Sequence, residues 1–102
     1  MIKDFFAARR DAQEALAKQS DLLRQKEEEL VFCRESLNTF NRAFLSLTED
    51  DPAELAGFMK ETILRYTIKV QNLEKDVRSI TVNISSIRRS LKEQYSLAPA
   101  IR

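Results

Sequence analysis

The sequence predicts an all-α chain: a long antiparallel two-helix coiled-coil hairpin that associates with itself into a helical bundle. Three observations predict it. The 102 residues include one glycine and two prolines, too little turn-forming material for a sheet, which needs a turn every ten residues or so. Apolar residues recur at heptad spacing through both halves of the chain. A single stretch, Thr48 to Phe58 (TEDDPAELAGF), interrupts that pattern. At 43% apolar and 32% charged, the chain is too apolar to be disordered, and its length suits one domain spanning residues 1–102.

The first helix is expected over about residues 3–47. One set of sevens runs Ile2, Leu16, Leu23, Leu30, Leu37 and Phe44, broken by Arg9. The other runs Phe5, Ala12, Cys33, Phe40 and Leu47, broken by Gln19 and Lys26. A polar seam residue usually costs stability and specifies register, although a lysine stem can pack while its head reaches water. Together, Gln19 and Lys26 suggest a loosened middle section that a third helix could enter. The opposite face is charged, as in RQKEEE from Arg24 to Glu29.

The turn is expected at residues 48–51. Asp51 reads as an N-cap, Pro52 as the first helical residue and Glu54 as the third member of a capping box. Glu49 and Asp50 add negative charge near the positive end of the helix dipole. Gly57 falls inside the second helix, at a cost of about 1 kcal/mol relative to alanine, either tolerated or allowing close packing.

The second helix is expected over about residues 52–96. Ala56, Ile63, Val70, Val77, Ile84 and Leu91 form one set of sevens; Met59, Tyr66, Leu73, Ile80 and Ile87 form the other, until Gln94. Pro99 is expected to keep residues 97–102 as a short tail. Each arm would be about 60 Å long at the α-helical rise. The heptads leave the register open, because two alignments one heptad apart keep most apolar pairs.

Several large apolar residues lie off both seams: Phe6, Leu22, Val31 and Phe32 on the first helix, and Leu55, Phe58, Leu64, Ile68 and Val82 on the second. Either the seam is wide and wraps its partner, or these residues form a contact surface. Val31, Phe32, Leu64 and Ile68 are the candidate partner-binding residues. Charge gives a second candidate. The turn carries Glu49, Asp50, Asp51 and Glu54, while a hairpin gathers Arg9, Arg10, Arg88, Arg89 and Lys92 into a basic end. Head-to-tail stacking would use that contrast, although charges that suit the helix dipoles need no partner.

The composition argues against an enzyme. There is no histidine to act as general base or metal ligand. One cysteine cannot build a zinc site or an internal disulfide, and Cys33 sits at a seam position where a packed thiol is the expectation. No glycine-rich phosphate loop is present. No catalytic residue, metal or cofactor is expected. The sequon Asn83-Ile84-Ser85 falls within the heptads and is read as chance. Net charge is +1, which gives no long-range attraction to nucleic acid. The one basic stretch, Ser85 to Tyr95, carries few cations. Met1 to Arg10 does not contain a signal-peptide core, and no stretch approaches a membrane span. A cytoplasmic location is expected, with export lacking a cleaved signal left open.

The stretch Asp51 to Phe58 (DPAELAGF) is similar to the turn and second-helix start of type III secretion needle subunits. Tyr66 and Lys75 to Val77 lie in a comparable downstream region. The similarity covers about a third of the chain and carries over no functional residues. Hundred-residue hairpins secreted by type VII systems share the architecture, but this chain has no tryptophan for their Trp-x-Gly turn. The functional expectation is a non-enzymatic coiled-coil module for protein–protein interaction: an adaptor, a chaperone-like cofactor or an assembly subunit. Its partner would be a second copy, another helical protein, or both. The alternatives are a structural subunit that polymerises or is exported by a specialised secretion system, and a nucleic-acid-binding helical protein.

Overall fold

The computed structural model describes the backbone of residues 2–101 and the side chains of Asp4 and residues 6–93. The chain is an all-α helical hairpin of two antiparallel helices, α1 (Ile2–Leu45, 44 residues) and α2 (Ala53–Ile101, 49 residues). No strand occurs among the described residues.

The seams are where the heptads place them. From Arg9 to Leu47 and from Ala56 to Leu91, every seam position is buried or half-buried, including the polar Arg9, Gln19 and Lys26. Leu30, Cys33, Val70, Leu73, Ile80 and Ile84 form the core. The seam residues Ile2, Phe5 and Gln94 lie outside the described side chains.

The connection is longer than expected, residues 46–52 rather than 48–51. α1 stops at Leu45, two residues early, because its last turn tightens. The Ser46 amide donates to both the Arg42 and Ala43 carbonyls, the Leu47 amide donates to Phe44, and the Ser46 hydroxyl donates to the Ala43 carbonyl at 2.8 Å. Such bonds satisfy the carbonyls a helix end leaves without partners. Asp51 faces backward. Its Oδ2 accepts from the Thr48 amide at 2.8 Å and the Thr48 hydroxyl at 3.3 Å, and its own amide donates to the Thr48 carbonyl. The carboxylate read as an N-cap therefore closes the turn. Pro52 precedes α2, and its carbonyl accepts from the Leu55 amide.

Gly57 is a tolerated glycine, not a close-packing one: a Cβ there would meet nothing within 4 Å, and its φ is negative. At the other end, α2 runs through Pro99 to Ile101, past the expected end at 96. Proline forfeits one amide and crowds one carbonyl, but its fixed φ is helical, and Ala98 and Ala100 beside it are the strongest helix formers.

The chain divides into two compact units, each containing a stretch of both helices. The turn unit is Lys26–Asp76. Its core holds Leu30, Cys33, Val70 and Leu73. The Phe40 and Tyr66 rings stack at 5.8 Å and 25°, and Lys60 Nζ lies 5.7 Å from the Phe44 ring centroid. Three ion pairs cross between the helices: Arg34–Glu74 at 3.0 Å, Lys26–Asp76 at 3.3 Å and Lys69–Glu29 at 3.4 Å. These pairs accompany the one register the structure shows, where the heptads leave two open, and seam-flanking charges favour one register over another in coiled coils.

The terminal unit comprises Met1–Gln25 and Val77–Arg102. Among its described residues, Ile80 and Ile84 are the buried apolar ones. Opposite them its α1 seam carries Ala12 and Gln19 between Arg9, Leu16 and Leu23.

Candidate interaction surface

The outward residues of the turn unit divide by the ion pair they stand beside. Residues three, four and seven apart share a helix face. Phe32 lies three residues beyond Glu29, on the flank of the Glu29–Lys69 pair. Val31 lies three before Arg34, on the opposite flank, which carries Arg34–Glu74. Leu64 shares the stripe of Glu74 through Gln71. Ile68 stands in the row Glu54, Glu61, Ile68, Lys75, which is exposed throughout and forms the back of α2.

The four candidate contact residues are therefore all exposed, at 53% for Val31, 61% for Phe32, 59% for Leu64 and 49% for Ile68. They are not gathered on one face. A wide seam that wraps its partner helix is ruled out for them, and also for Phe6, Leu22, Phe58 and Val82, which are exposed as well. Leu55 alone of the off-seam group is half-buried. Leu45, exposed at 82%, is a further apolar residue that the heptads assign to neither seam.

The Glu29–Lys69 flank contains a groove of about 330 Å³ lined by Phe58, Thr62, Arg65, Tyr66 and Lys69. All five belong to α2, at steps of four, seven, eight and eleven residues from Phe58, which is one helix face. On the α1 side the flank row continues Glu29, Ser36, Ala43, and the last two are small and half-buried. Tyr66, itself half-buried, lines the groove. Arg65 is held by Glu61 at 2.7 Å, and Phe58 is 60% exposed at one end. A sequence reading that had matched the charges next to the seams could have found this flank, since Glu29 and Lys69 each precede a seam leucine or valine by one residue.

In the terminal unit a more open groove of about 380 Å³ is lined by Ala15, Lys18, Gln19, Asn83, Ser86 and Ile87. The Gln19 side-chain oxygen is buried there without a hydrogen-bond partner, which costs about 1–3 kcal/mol. Lys26 behaves differently. Its stem packs in the seam and its ammonium reaches Asp76 at 3.3 Å, the snorkelling geometry. The loosened section is thus at Gln19 and not at Lys26.

The basic residues also lie in this unit. Arg10, Arg88, Arg89 and Lys92 are exposed, whereas Arg9 is half-buried at a seam position. Since Ala15 and Gln19 share a groove with Asn83 and Ile87, positions 9–10 and 88–92 fall at the same end of the unit. The acidic residues Glu49, Asp50, Asp51 and Glu54 are exposed in the turn unit, with the Asp51 carboxylate engaged by Thr48.

Cys33 is a free thiol, fully buried at 0% exposure. Among the described residues no group of three His, Cys, Asp or Glu side chains could hold a metal ion, and no helix is long and apolar enough to cross a membrane. Comparison of the chain with protein-family models, curated proteins and solved structures finds no match.

Proposed function

We propose that the protein is a non-enzymatic helical-hairpin module for protein–protein interaction, whose partner is a second copy or another helical protein. One observation carries this reading: each helix covers its seam with the other, yet among the described residues nine large apolar side chains remain exposed. Single exposed apolar residues are ordinary. A hairpin that buries its heptads while showing phenylalanines at 6, 32 and 58 has apolar surface left for association. Aromatic residues are the side chains most enriched at the centres of interfaces.

The test is absolute mass in solution, by size-exclusion chromatography with light scattering, over a hundredfold concentration range. Mass that rises to a defined oligomer supports self-association. A constant monomer directs the search to a different helical protein. Phe32→Asp, on the Glu29–Lys69 flank, should weaken association at unchanged helicity; Ile68→Asp, on the back of α2, weakens it only where that row also takes part. If both variants keep full helicity and full association, the contact surface does not include these residues.

A further inference from the structure

We propose that the Glu29–Lys69 flank of the turn unit is a homodimer interface, in which two copies pack about a twofold axis with Phe58 of each copy over Lys69 of the other. This rests on the interaction-module reading and adds to it the face and the occupant.

A twofold interface uses one patch twice, so the patch must be complementary to its own reversed image. The α2 groove meets that condition. Phe58 stands at one end and Lys69 at the other, with Thr62, Arg65 and Tyr66 between. Reversing a second copy over the first brings each exposed phenyl ring to the opposite lysine. A ring face attracts an ammonium, and the lysine stem offers apolar length for the ring to cover. Lys69 keeps its own Glu29 at 3.4 Å, so the cation enters the interface with its counter-charge already in place.

The α1 side of the flank meets the same condition independently. The same reversal sets Ser36 against Ala43 of the second copy. Two small side chains face to face let the helices approach closely, while the phenylalanines project beside them. Phe32 then extends toward the segment around Ser46 and Leu47 of the second copy.

Both pairings call for one axis. The midpoint of Phe58 and Lys69 lies between Ile63 and Leu64. The midpoint of Ser36 and Ala43 lies between Thr39 and Phe40. The stacking of Phe40 on Tyr66 and the placing of Lys60 over Phe44 set these two midpoints within one helical turn of each other. A foreign helix would not require the two sides of the flank to share a midpoint; a second copy does. The opposite flank carries its own cation, Arg34 paired with Glu74 at 3.0 Å, but Val31 and Leu64 beside it are aliphatic and offer that cation no ring face.

The experiment uses the full chain. Wild type should give a dimer by light scattering. Phe58→Asp should shift it to monomer, with the dimer dissociation constant raised at least tenfold and helicity by circular dichroism unchanged. Val82→Asp, on the back of α2, should leave the dimer intact. Thr39→Cys places a thiol on this flank beside the axis and should give a covalent dimer on mild oxidation. Asn38→Cys, on the opposite flank, should not, and wild type with only its buried Cys33 is the control. A dimer that survives Phe58→Asp, or cross-links through Asn38→Cys in preference to Thr39→Cys, overturns the proposal and leaves self-association through another face. A wild-type monomer at every concentration also overturns it, and leaves the module reading only with a different protein as partner.

Discussion

The two units of the hairpin solve the same packing problem with different materials. The turn unit buries Leu30, Cys33, Val70 and Leu73, stacks Phe40 on Tyr66 and adds three ion pairs between its helices. The terminal unit places Ala12 and Gln19 in its seam, opens a groove beside Ala15 and Ser86, and buries an amide oxygen without a partner. The contrast teaches that an unbroken heptad on one helix does not guarantee an even core. α2 keeps its apolar repeat from Ala56 to Leu91, but a seam is only as well filled as the poorer of its two helices.

That difference can be broken from either side. The largest effect should come from the filled seam. Leu73 is 4% exposed, and Leu73→Ala should cost about 2–5 kcal/mol in urea-induced unfolding, the range for emptying a packed leucine site. A cost below about 1 kcal/mol would show that the turn unit is not tightly packed. The next effect should come from the defective seam with opposite sign. Gln19→Leu removes the buried orphan oxygen and adds apolar contact, so stability should rise by about 1–2 kcal/mol. A loss of stability would mean that the amide has a role the groove conceals.

Smaller changes sharpen the account of the turn and the flanks. Gly57→Ala meets open space at an ordinary φ, so helix propensity alone should raise the unfolding free energy by about 0.5–1 kcal/mol. The smallest effect should come from Arg34→Gln. Its pair with Glu74 is largely exposed, and exposed pairs contribute about 0.2–1 kcal/mol. Raising the salt concentration should shrink even that difference between variant and wild type. A larger, salt-insensitive loss would assign Arg34 a packing role.

The turn shows where residue-by-residue reading stops. Asp51, Pro52 and Glu54 mark a helix start, and α2 begins at Ala53. The Asp51 carboxylate nonetheless bonds to Thr48, because a short acidic side chain can serve either neighbour and the chain's reversal selects the earlier one. The candidate contact residues behave alike. That Val31, Phe32, Leu64 and Ile68 lie outside both seams was legible from spacing. Their separate rows also follow from spacing; that the row of Phe58 and Lys69 lies beside Glu29 of α1 and borders a groove depends on which flank each helix turns to the other.

The sequence by itself determined the two-helix chain, its single reversal, both seams and the set of apolar residues outside them, because heptad spacing and the scarcity of glycine and proline act locally along each helix. Only the tertiary structure decided the register, the uneven filling of the two units and the grooves. Those depend on pairs between helices: the observed alignment brings Lys26 to Asp76 and stacks Phe40 on Tyr66, contacts that spacing along one helix does not specify.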